Sequence, residues 1–248
     1  MNFTVLRFDT IGSTNDEALR QARLGAPEGL CVVARQQTAG RGRHGRAWIS
    51  PPGAGLYFSL VLRPALETRF LPLVTLTAGV AVHDALEEAF GLDCDIKWSN
   101  DVHVGGRKIS GILAETAETT RGLAVVLGIG VNLNSRNFPA ELGEIATSVE
   151  AETGATASVE KLLDALTGAL AKFFGLLYGA GGAEIIREEW TRRSSYAFGK
   201  EVRATLENET IEGVTRGIEP DGALRVETAE GAVRVIRAGE VQNLRRSG

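Results

Sequence analysis

Cysteine and histidine are scarce in this sequence, which argues against a disulfide framework and against a structural metal site. The two cysteines, Cys31 and Cys94, lie in apolar surroundings and are too few for a disulfide framework, so we expect reduced thiols in the core. The three histidines, His44, His83 and His103, show no metal-ligand spacing with one another or with cysteine. The sequence therefore predicts no structural metal.

Long apolar runs are also missing. No run of about 18 apolar residues occurs, and the N-terminus MNFTVLRFDTIGS has no charged segment followed by an apolar one. We therefore expect no membrane partner and a cytoplasmic location. The 248 residues suffice for one large domain and a small one.

Acidic residues are absent from one long window. Asp and Glu do not occur between Gly29 and Leu66, although an even spread of the chain's 31 acids would place about five there. Within this window, the segment from Gln36 to Trp48 carries cations among glycines: Arg41, Arg43, His44 and Arg46. Guanidinium groups on a backbone that approaches closely suit a ligand with several negative oxygens. The segment is therefore predicted to bind an anion.

Three other interpretations of this segment remain open. GRGRHG matches the dinucleotide pattern G-x-G-x-x-G, but that pattern needs a helix starting within it, and Pro51 and Pro52 exclude a long helix here. Arginine interleaved with glycine also binds nucleic-acid phosphates, yet the net charge is −4 and no second basic cluster extends the footprint, so we expect no nucleic-acid partner. A solvated loop that binds nothing is the third interpretation.

Strands are predicted on both sides of the segment, so that its two ends are fixed. Hydrophobic patterning predicts the strands Phe3 to Phe8, Leu30 to Arg35 and Leu56 to Leu62, and a long helix within Phe70 to Phe90.

A helix is predicted from about Asn15 to Leu24. Thr14, followed three residues later by Glu17, forms a capping-box pattern at its start. Ser13, Thr14 and Asn15 lie where hydroxyls and free N–H groups could meet a polar ligand. Capping is the simpler interpretation of these three residues.

Polar residues are concentrated again between residues 94 and 115. The predicted elements are a strand from Cys94 to Trp98, a hairpin turn at Gly105 and Gly106, and a strand from Lys108 to Ala114. Asn100 and Asp101 would then lie at the end of the first strand, and Lys108 shortly after the turn. A lone lysine at the start of a strand is usually solvated. Lys108 is therefore a candidate site residue only in combination with the other motifs.

Glycine interrupts the next predicted strand, Leu123 to Val131, which ends at Asn132. Gly128 and Gly130 within a buried strand suggest close approach by backbone or ligand. Downstream, helices are predicted over Ser158 to Tyr178 and about Glu184 to Arg193, followed by a small all-β unit from Lys200 to Leu244.

The motifs STN, GRGRHGR, KWSND, RKISGILAE and GIGVN, in this order, resemble those of bacterial biotin–protein ligases, also called biotin–acetyl-CoA-carboxylase ligases. The resemblance implies an α+β fold, in which residues 1–196 form a catalytic domain similar to class II aminoacyl-tRNA synthetases and biotin ligases, with a mixed sheet covered by helices. It implies a small SH3-like β-barrel over residues 197–248. Relatives that repress transcription carry a winged helix-turn-helix before the catalytic domain, and we expect none here because the first motif lies so close to Met1.

The resemblance also implies site residues. Contacts with biotin fall on Ser13, Thr14, Asn15, Gln37, Arg41, Gly42, Arg43 and Lys108, positions near the nucleotide on Arg46 and Trp48, and positions lining the two pockets on Asn100, Asp101, Gly111, Gly130 and Asn132. Two positions depart from the family pattern: Ser99 stands where many relatives have proline, and His44 where a further arginine often occurs.

The implied reaction joins two anions. The carboxylate of biotin attacks the α-phosphate of ATP to give biotinyl-5′-adenylate, and a lysine of a biotin carboxyl carrier protein, the acetyl-CoA carboxylase subunit, then takes the biotin. We assign the catalytic neutralisation of charge to Lys108, Arg41 and Arg43, and expect Mg²⁺ with ATP, its side-chain ligands unknown. Residues 38–48 are expected to close over the intermediate and to be mobile until biotin arrives.

Other functions are compatible with parts of this pattern. A lipoate–protein ligase shares the fold and the adenylate chemistry, and two noncatalytic alternatives are a nucleic-acid-binding module and a biotin sensor that forms no adenylate. Both a monomer and a homodimer are compatible with the sequence.

Overall fold

The structure is a computed structural model that describes residues 1–135 and 138–244. In chain order its elements are β1 Thr4–Ile11, α1 Thr14–Arg23, β2 Leu30–Gln37, β3 Gly55–Leu62, α2 Pro72–Phe90, β4 Asp95–Lys97, β5 Asp101–Val104, β6 Arg107–Thr119, β7 Gly122–Asn132, α3 Val149–Thr153, α4 Val159–Leu177, α5 Gly182–Arg192, β8 Phe198–Thr205, β9 Thr210–Ile218, β10 Leu224–Glu227, β11 Val233–Ile236 and β12 Glu240–Asn243. Residues 245–248 of the predicted barrel lie outside this description.

The larger sheet has seven strands in the order β1-β2-β3-β7-β6-β5-β4. Strands β1 and β2 pair in parallel, with Thr4 opposite Leu30, and the other neighbouring pairs are antiparallel. A parallel pair needs a crossover connection, which α1 supplies. The predicted mixed sheet is therefore confirmed.

Helices cover both faces of this sheet. Alternate residues of β2 point to opposite faces, so that Cys31 and Val33 join the core under α2 and α4, whereas Val32 joins the core under α1 with Ala18. Because both faces are covered, β3 and the first five residues of β2 are buried and apolar at nearly every position rather than at alternate ones.

The start of α1 differs from the predicted capping box. Ser13 is the N-cap residue but makes no side-chain capping bond, and Thr14 is already helical. Glu17 accepts hydrogen bonds from Arg20 and Gln21 instead of reaching back to the helix start. Capping therefore does not account for the polar residues at this helix start, and their side chains bond elsewhere.

The polar stretch after α2 folds into two short strands. The predicted strand from Cys94 to Trp98 shrinks to β4, and a turn at residues 98–100 leads into β5, so that Asp101 begins a strand rather than ending one. Lys97 and Asp101 are partners across this hairpin. Helix α3 was not predicted, because only five residues form it and such a length carries little periodicity.

The C-terminal unit is a five-stranded antiparallel sheet in the order β11-β10-β9-β8-β12, as expected for a small SH3-like barrel. It docks on the larger sheet through buried contacts: the indole N–H of Trp98 donates to the carbonyl of Gly222 at 2.9 Å. The barrel thus borders the same region as the β4–β5 turn.

One stretch of the described chain, Thr68–Phe90, is long and apolar enough to cross a membrane by length and composition. Within its most apolar window, 61% is buried inside the fold. Val80, Ala81 and Ala85 of this stretch are part of the main core, which is the environment of a core helix.

Both cysteines are buried and free of disulfides, as predicted. Burial raises the thiol pKa of Cys31 to about 12, and the same effect, reinforced by nearby acids, raises that of Cys94 to about 12. Both thiols are therefore protonated at neutral pH, which suits a role in packing.

Candidate active site

Two adjoining cavities lie at one end of the larger sheet, beneath residues 38–48, which we call the flap. The inner cavity has a volume of about 50 Å³ and the outer one about 300 Å³. All fifteen residues that the resemblance implies line one or both: Ser13, Thr14, Asn15, Gln37, Arg41, Gly111 and Gly130 the inner, Arg46, Asp101 and Asn132 the outer, and Gly42, Arg43, Trp48, Asn100 and Lys108 both. The structure thus brings the predicted residues together.

The polar end of the inner cavity is formed by the start of α1. Ser13, Thr14 and Asn15 are only 3 to 4% exposed. The Oε1 atom of Gln37 accepts hydrogen bonds from the backbone N–H of Thr14 at 2.8 Å and from its hydroxyl at 3.0 Å. Ser59 on β3 lies beneath them, its Oγ 2.6 Å from Oδ1 of Asn15 and 2.8 Å from Oγ1 of Thr14. Hydroxyl and amide groups are thereby held in place by hydrogen bonds within the chain.

The neck of the flap is a narrow hairpin. Trp48 N–H donates to the carbonyl of Gly40 at 2.9 Å, and the Gln37 side-chain amide donates to Ser50 Oγ at 2.9 Å. A Cβ atom on Gly40 would lie 2.5 Å from the carbonyl oxygen of Trp48, so that only glycine fits there. The polar group that contacts Thr14 is therefore connected to the base of the flap.

Each flap arginine is bound by a different part of the molecule. Arg41 forms ion pairs with Asp16 on α1 at 2.7 Å and with Glu115 on β6 at 2.8 Å. Arg46 forms an ion pair with Glu240 at the start of β12. These anchors would have to be released for the flap to open, and its mobility stays a prediction.

Arg43 differs from its two neighbours in the nature of its partners. Its guanidinium donates to Ser99 Oγ and to Asn100 Oδ1, each at 2.7 Å, and to the barrel carbonyl of Gly239 at 3.4 Å. All of these acceptors, within the part of the chain that the structure describes, are neutral oxygens. Burial lowers the pKa of Arg43, although a guanidinium remains charged in proteins. Its charge is therefore the least compensated in the flap.

Lys108 lies at the junction of the two cavities. Its Nζ is 2.7 Å from Oδ1 of Asp101 and 5.5 Å from the ring centroid of Trp48. The contact with Asp101 lacks hydrogen-bond geometry, so this buried oxygen has no donor among the described residues. The backbone of Lys108 is fixed from outside the sheet, since its N–H donates to Ile145 O and its carbonyl accepts from Thr147 N–H, both at 2.9 Å.

Glycines on β6 and β7 make room for these side chains. A Cβ on Gly130 would lie 2.4 Å from Trp48, one on Gly111 2.9 Å from Trp48 and 3.0 Å from Lys108, and one on Gly128 2.3 Å from Oδ1 of Asn15. A close approach by backbone or ligand was predicted at Gly128 and Gly130; the structure shows a close approach at both, but the side chains of Asn15 and Trp48 make it.

Four residues of the site region were missed by the sequence analysis. Lys97 lines the outer cavity, and burial lowers its pKa, with Asp101 and Glu240 opposing the shift. Lys97 opens the KWSND motif, and that motif was the available signal. Glu115 likewise ends the motif RKISGILAE, whereas Ser59 and Glu240 act through a hydrogen bond and an ion pair between elements distant in sequence, for which local patterns contain no signal.

A group of possible metal ligands lies away from the site. His83, Asp84 and Glu87 on α2 place one ligand atom each within 4.8 Å of one another. Arg193 donates to both oxygens of Asp84, at 2.6 and 3.0 Å, so a guanidinium already supplies the cation. The prediction of no structural metal stays a prediction.

Comparison with known proteins identifies the family. Residues 8–132 match the biotin/lipoate A/B protein ligase family, and residues 197–242 match the biotin protein ligase C terminal domain. The bifunctional ligase/repressor BirA of Bacillus subtilis is 40% identical over 235 residues, covering 93% of this chain and 71% of the relative. The biotin–[acetyl-CoA-carboxylase] ligase of Paracoccus denitrificans is 38% identical over 241 residues, covering 92% and 96%.

The fold comparison agrees. The biotin protein ligase from Aquifex aeolicus, solved in complex with biotin and ATP, superimposes with a TM-score of 0.84 at 30% identity and covers 98% of this chain and 99% of that one. Sequence, fold and the clustering of the motif residues agree, and the chain belongs to the biotin/lipoate A/B protein ligase family.

Proposed function

We propose that this chain is an ATP-dependent biotin–protein ligase. A carboxylate oxygen of biotin attacks the α-phosphorus of ATP, the bond to the β-phosphate breaks, and pyrophosphate leaves biotinyl-5′-adenylate behind. The amine of an acceptor lysine then attacks the acyl carbon, and AMP departs as an amide bond forms. The acceptor is a biotin carboxyl carrier protein of acetyl-CoA carboxylase, by analogy with the names of the relatives.

The observation that carries the proposal is the position of Arg43 and Lys108 at the junction of the two cavities. Two like charges about 4 Å apart repel by about 4 kcal/mol at an effective dielectric of about 20. Arg43 has no carboxylate partner among the described residues, and Lys108 has a single one. Both cations line both cavities, so they reach a carboxylate in the inner one and a phosphate in the outer one.

The polar end of the inner cavity suits the neutral ureido ring of biotin. Thr14, Ser13 and Gln37 offer hydroxyl and amide groups to its N–H and C=O groups, while Phe58, Ile112 and Ile129 provide apolar walls for the thiophane ring. The lining of the outer cavity includes Trp48, Ile49 and Ile145, which provide the apolar surface that a nucleobase needs.

The residues present also fit Mg²⁺ bound with ATP. Asp101 offers a buried carboxylate oxygen, the ligand type that Mg²⁺ prefers, and the Nζ atom of Lys108, 2.7 Å away, is the cation that the ion would replace there. We therefore name Asp101 as the residue that holds the ion together with phosphate oxygens. The bound ion would supply positive charge that neutralises the polyphosphate, while Arg43 and Lys108 orient the reacting groups.

Several finer points belong to the same proposal. The catalytic domain spans residues 1–196 and the barrel 197–248, the enzyme is cytoplasmic, and it acts without membrane or nucleic-acid partners as a monomer or homodimer. Arg41 is the least supported of the predicted catalytic cations, because two carboxylates already bind it.

The test is incubation of the protein with ATP, magnesium, labelled biotin and a carrier domain. We expect biotin-dependent ATP–pyrophosphate exchange without the carrier, and label transfer to the carrier when it is present. The family includes lipoate ligases, so lipoate is the matched comparison substrate. Exchange with lipoate and none with biotin would establish the alternative; biotin binding without exchange would indicate a sensor.

A further inference from the structure

Among the described residues, Glu115 is the carboxylate that contacts both the polar end of the inner cavity and the flap. Its Oε2 accepts a hydrogen bond from Nδ2 of Asn15 at 2.7 Å. The guanidinium of Arg41 donates to both of its oxygens, at 2.8 and 3.1 Å. Glu115 is absent from the linings of the two cavities, so it does not meet a ligand there.

The contacts of Asn15 determine the direction of a chain of hydrogen bonds. A carboxylate and a backbone carbonyl can only accept, so the NH₂ group of Asn15 faces Glu115 at 2.7 Å, with the carbonyl of Leu113 at 3.3 Å as its second and more distant acceptor, and its Oδ1 faces Ser59. The Ser59 hydroxyl must then donate to Asn15 and cannot also donate to Thr14. The Thr14 hydroxyl has two neighbouring oxygens, Ser59 Oγ and Gln37 Oε1. Each of them can only accept from Thr14, and the hydroxyl has a single proton to donate.

This leaves an oxygen lone pair of Thr14 for the ligand. Thr14 is thereby set as an acceptor toward the inner cavity, which suits a ligand that presents an N–H group there. The glycine at position 128 permits this arrangement, because any Cβ there would lie 2.3 Å from Oδ1 of Asn15.

The contact with Arg41 connects the same carboxylate to the flap. Arg41 is also bound by Asp16, the residue that follows Asn15, so two acids next to the recognition residues share one flap arginine. The closed flap and the orientation of Asn15 therefore depend on the same side chain, that of Glu115.

We infer that Glu115 is a positioning residue that orients Asn15 for biotin and holds the flap closed through Arg41. This inference rests on the proposed function and adds two residues to it. Glu115 acts on both Asn15 and the flap, and Asp16 acts on the flap only. Arg41 then acts through these acids rather than through a substrate anion.

The variants separate the two contacts. Glu115→Ala removes both. Glu115→Gln keeps a carbonyl oxygen for Asn15 but removes the charge that binds Arg41, and Asp16→Asn weakens only the flap contact. Glu118→Gln, an exposed position on the same strand, is the matched control. Circular dichroism and thermal melting establish that each variant is folded.

The readouts are the KM values for biotin and ATP from pyrophosphate exchange, and the rate of tryptic cleavage within the flap. For Glu115→Ala we expect the KM for biotin to rise by about tenfold or more, as for a lost hydrogen bond to a charged group, while the KM for ATP changes by less than about threefold. Glu115→Gln should largely retain the KM for biotin. Trypsin should cleave the flap faster in three variants than in the parent and in Glu118→Gln: Glu115→Ala, Glu115→Gln and Asp16→Asn.

The failures are distinguishable. A parent protein without biotin-dependent exchange contradicts the proposed function itself. An active parent with a Glu115→Ala variant of unchanged KM for biotin and unchanged flap cleavage overturns the inference, and so does a parallel rise of both KM values, which a general loss of structure would produce. If Glu115→Ala does not fold, a Glu115→Gln variant that cleaves in the flap at the parental rate overturns the flap contact.

Discussion

The indole of Trp48 lies against the backbone of Gly130, where a Cβ atom would approach it to 2.4 Å. The flap therefore packs closely on β7, and glycine is required at that point. Trp48 lines both cavities, so its contact with Gly130 fixes the position of a side chain that the two cavities share.

Replacing Gly130 by alanine should displace Trp48 and impair catalysis while the fold persists. We expect pyrophosphate exchange to fall by about tenfold or more, because a shift of about 1 Å in a positioning contact has effects of this size. Gly168→Ala in α4 is the control: nothing lies within 4 Å of the added carbon, and a helical glycine replaced by alanine should gain about 0.5 to 1 kcal/mol of stability. Equal exchange by the two variants would contradict the role of the contact.

Lys108→Ala should remove most adenylation. Loss of a fixed cation at developing negative charge typically lowers kcat by about 100-fold to 1000-fold, and biotin affinity should change less. Single-turnover formation of the adenylate measures the chemical step. Lys172→Ala removes an exposed cation of α4 as a control, and parental adenylation by the Lys108 variant would refute its assignment.

Biotin should slow tryptic cleavage within the flap. A ligand in the inner cavity adds contacts beneath Arg41 and Arg43 that only the closed flap provides, so the open population falls. The cleavage rate with and without saturating biotin is the measurement. An identical rate in both conditions would count against closure over the ligand.

The Asp84–Arg193 contact should make stability depend on pH in the acidic range. Burial raises the pKa of Asp84, but hydrogen bonds from His83 and Arg193 outweigh it and lower the pKa from 3.8 to about 2. A depressed carboxyl pKa contributes stability above the unfolded value, and this contribution is lost as the pH falls from about 4 to about 2. It amounts to about 2 kcal/mol at pH 7.

Urea unfolding of Asp84→Asn tests this linkage. The free-energy difference from the parent should be largest near neutral pH and shrink toward pH 2. Asp93→Asn, an exposed acid just beyond α2, should show a much smaller difference. A constant difference for Asp84→Asn across this range would contradict the linkage.

Trp98→Phe should loosen the barrel from the catalytic domain. The substitution keeps an aromatic ring but leaves the Gly222 carbonyl without its indole donor, at a cost of about 1 to 3 kcal/mol. Calorimetry should show a lower melting temperature or a separate barrel transition. Trp190→Phe is the comparison, since the Trp190 indole N–H has no partner among the described residues and loses no bond.

The sequence predicted which residues form the site better than it predicted their hydrogen bonds and ion pairs. Motif order assigned Lys108, Arg43 and Thr14, and each lines the cavities, because these residue types carry their chemistry in their own side chains. The capping box at Thr14 was wrong, since the Thr14 hydroxyl lies in the inner cavity beside Ser59 of the strand below, and Glu17 binds Arg20 and Gln21 instead. Local sequence has no means of making that distinction.

The partners of the flap arginines were hidden for a related reason. An acid-free window from Gly29 to Leu66 suggested uncompensated cations, yet Asp16, Glu115 and Glu240 approach from outside the window. Tertiary ion pairs join positions up to 194 residues apart, as for Arg46 and Glu240. Charge density along the chain therefore predicted an anion-binding segment but did not indicate which of its arginines has no carboxylate partner among the described residues.

The outer cavity contains Gly239, Glu240 and Val241, while the inner one is built from residues no later than Gly130. Every residue that lines the inner cavity is therefore made by position 130, whereas the lining of the outer cavity is complete only at position 241. Under the proposed function, the last strands of the chain contribute to the nucleotide compartment and contribute nothing to the lining of the biotin pocket.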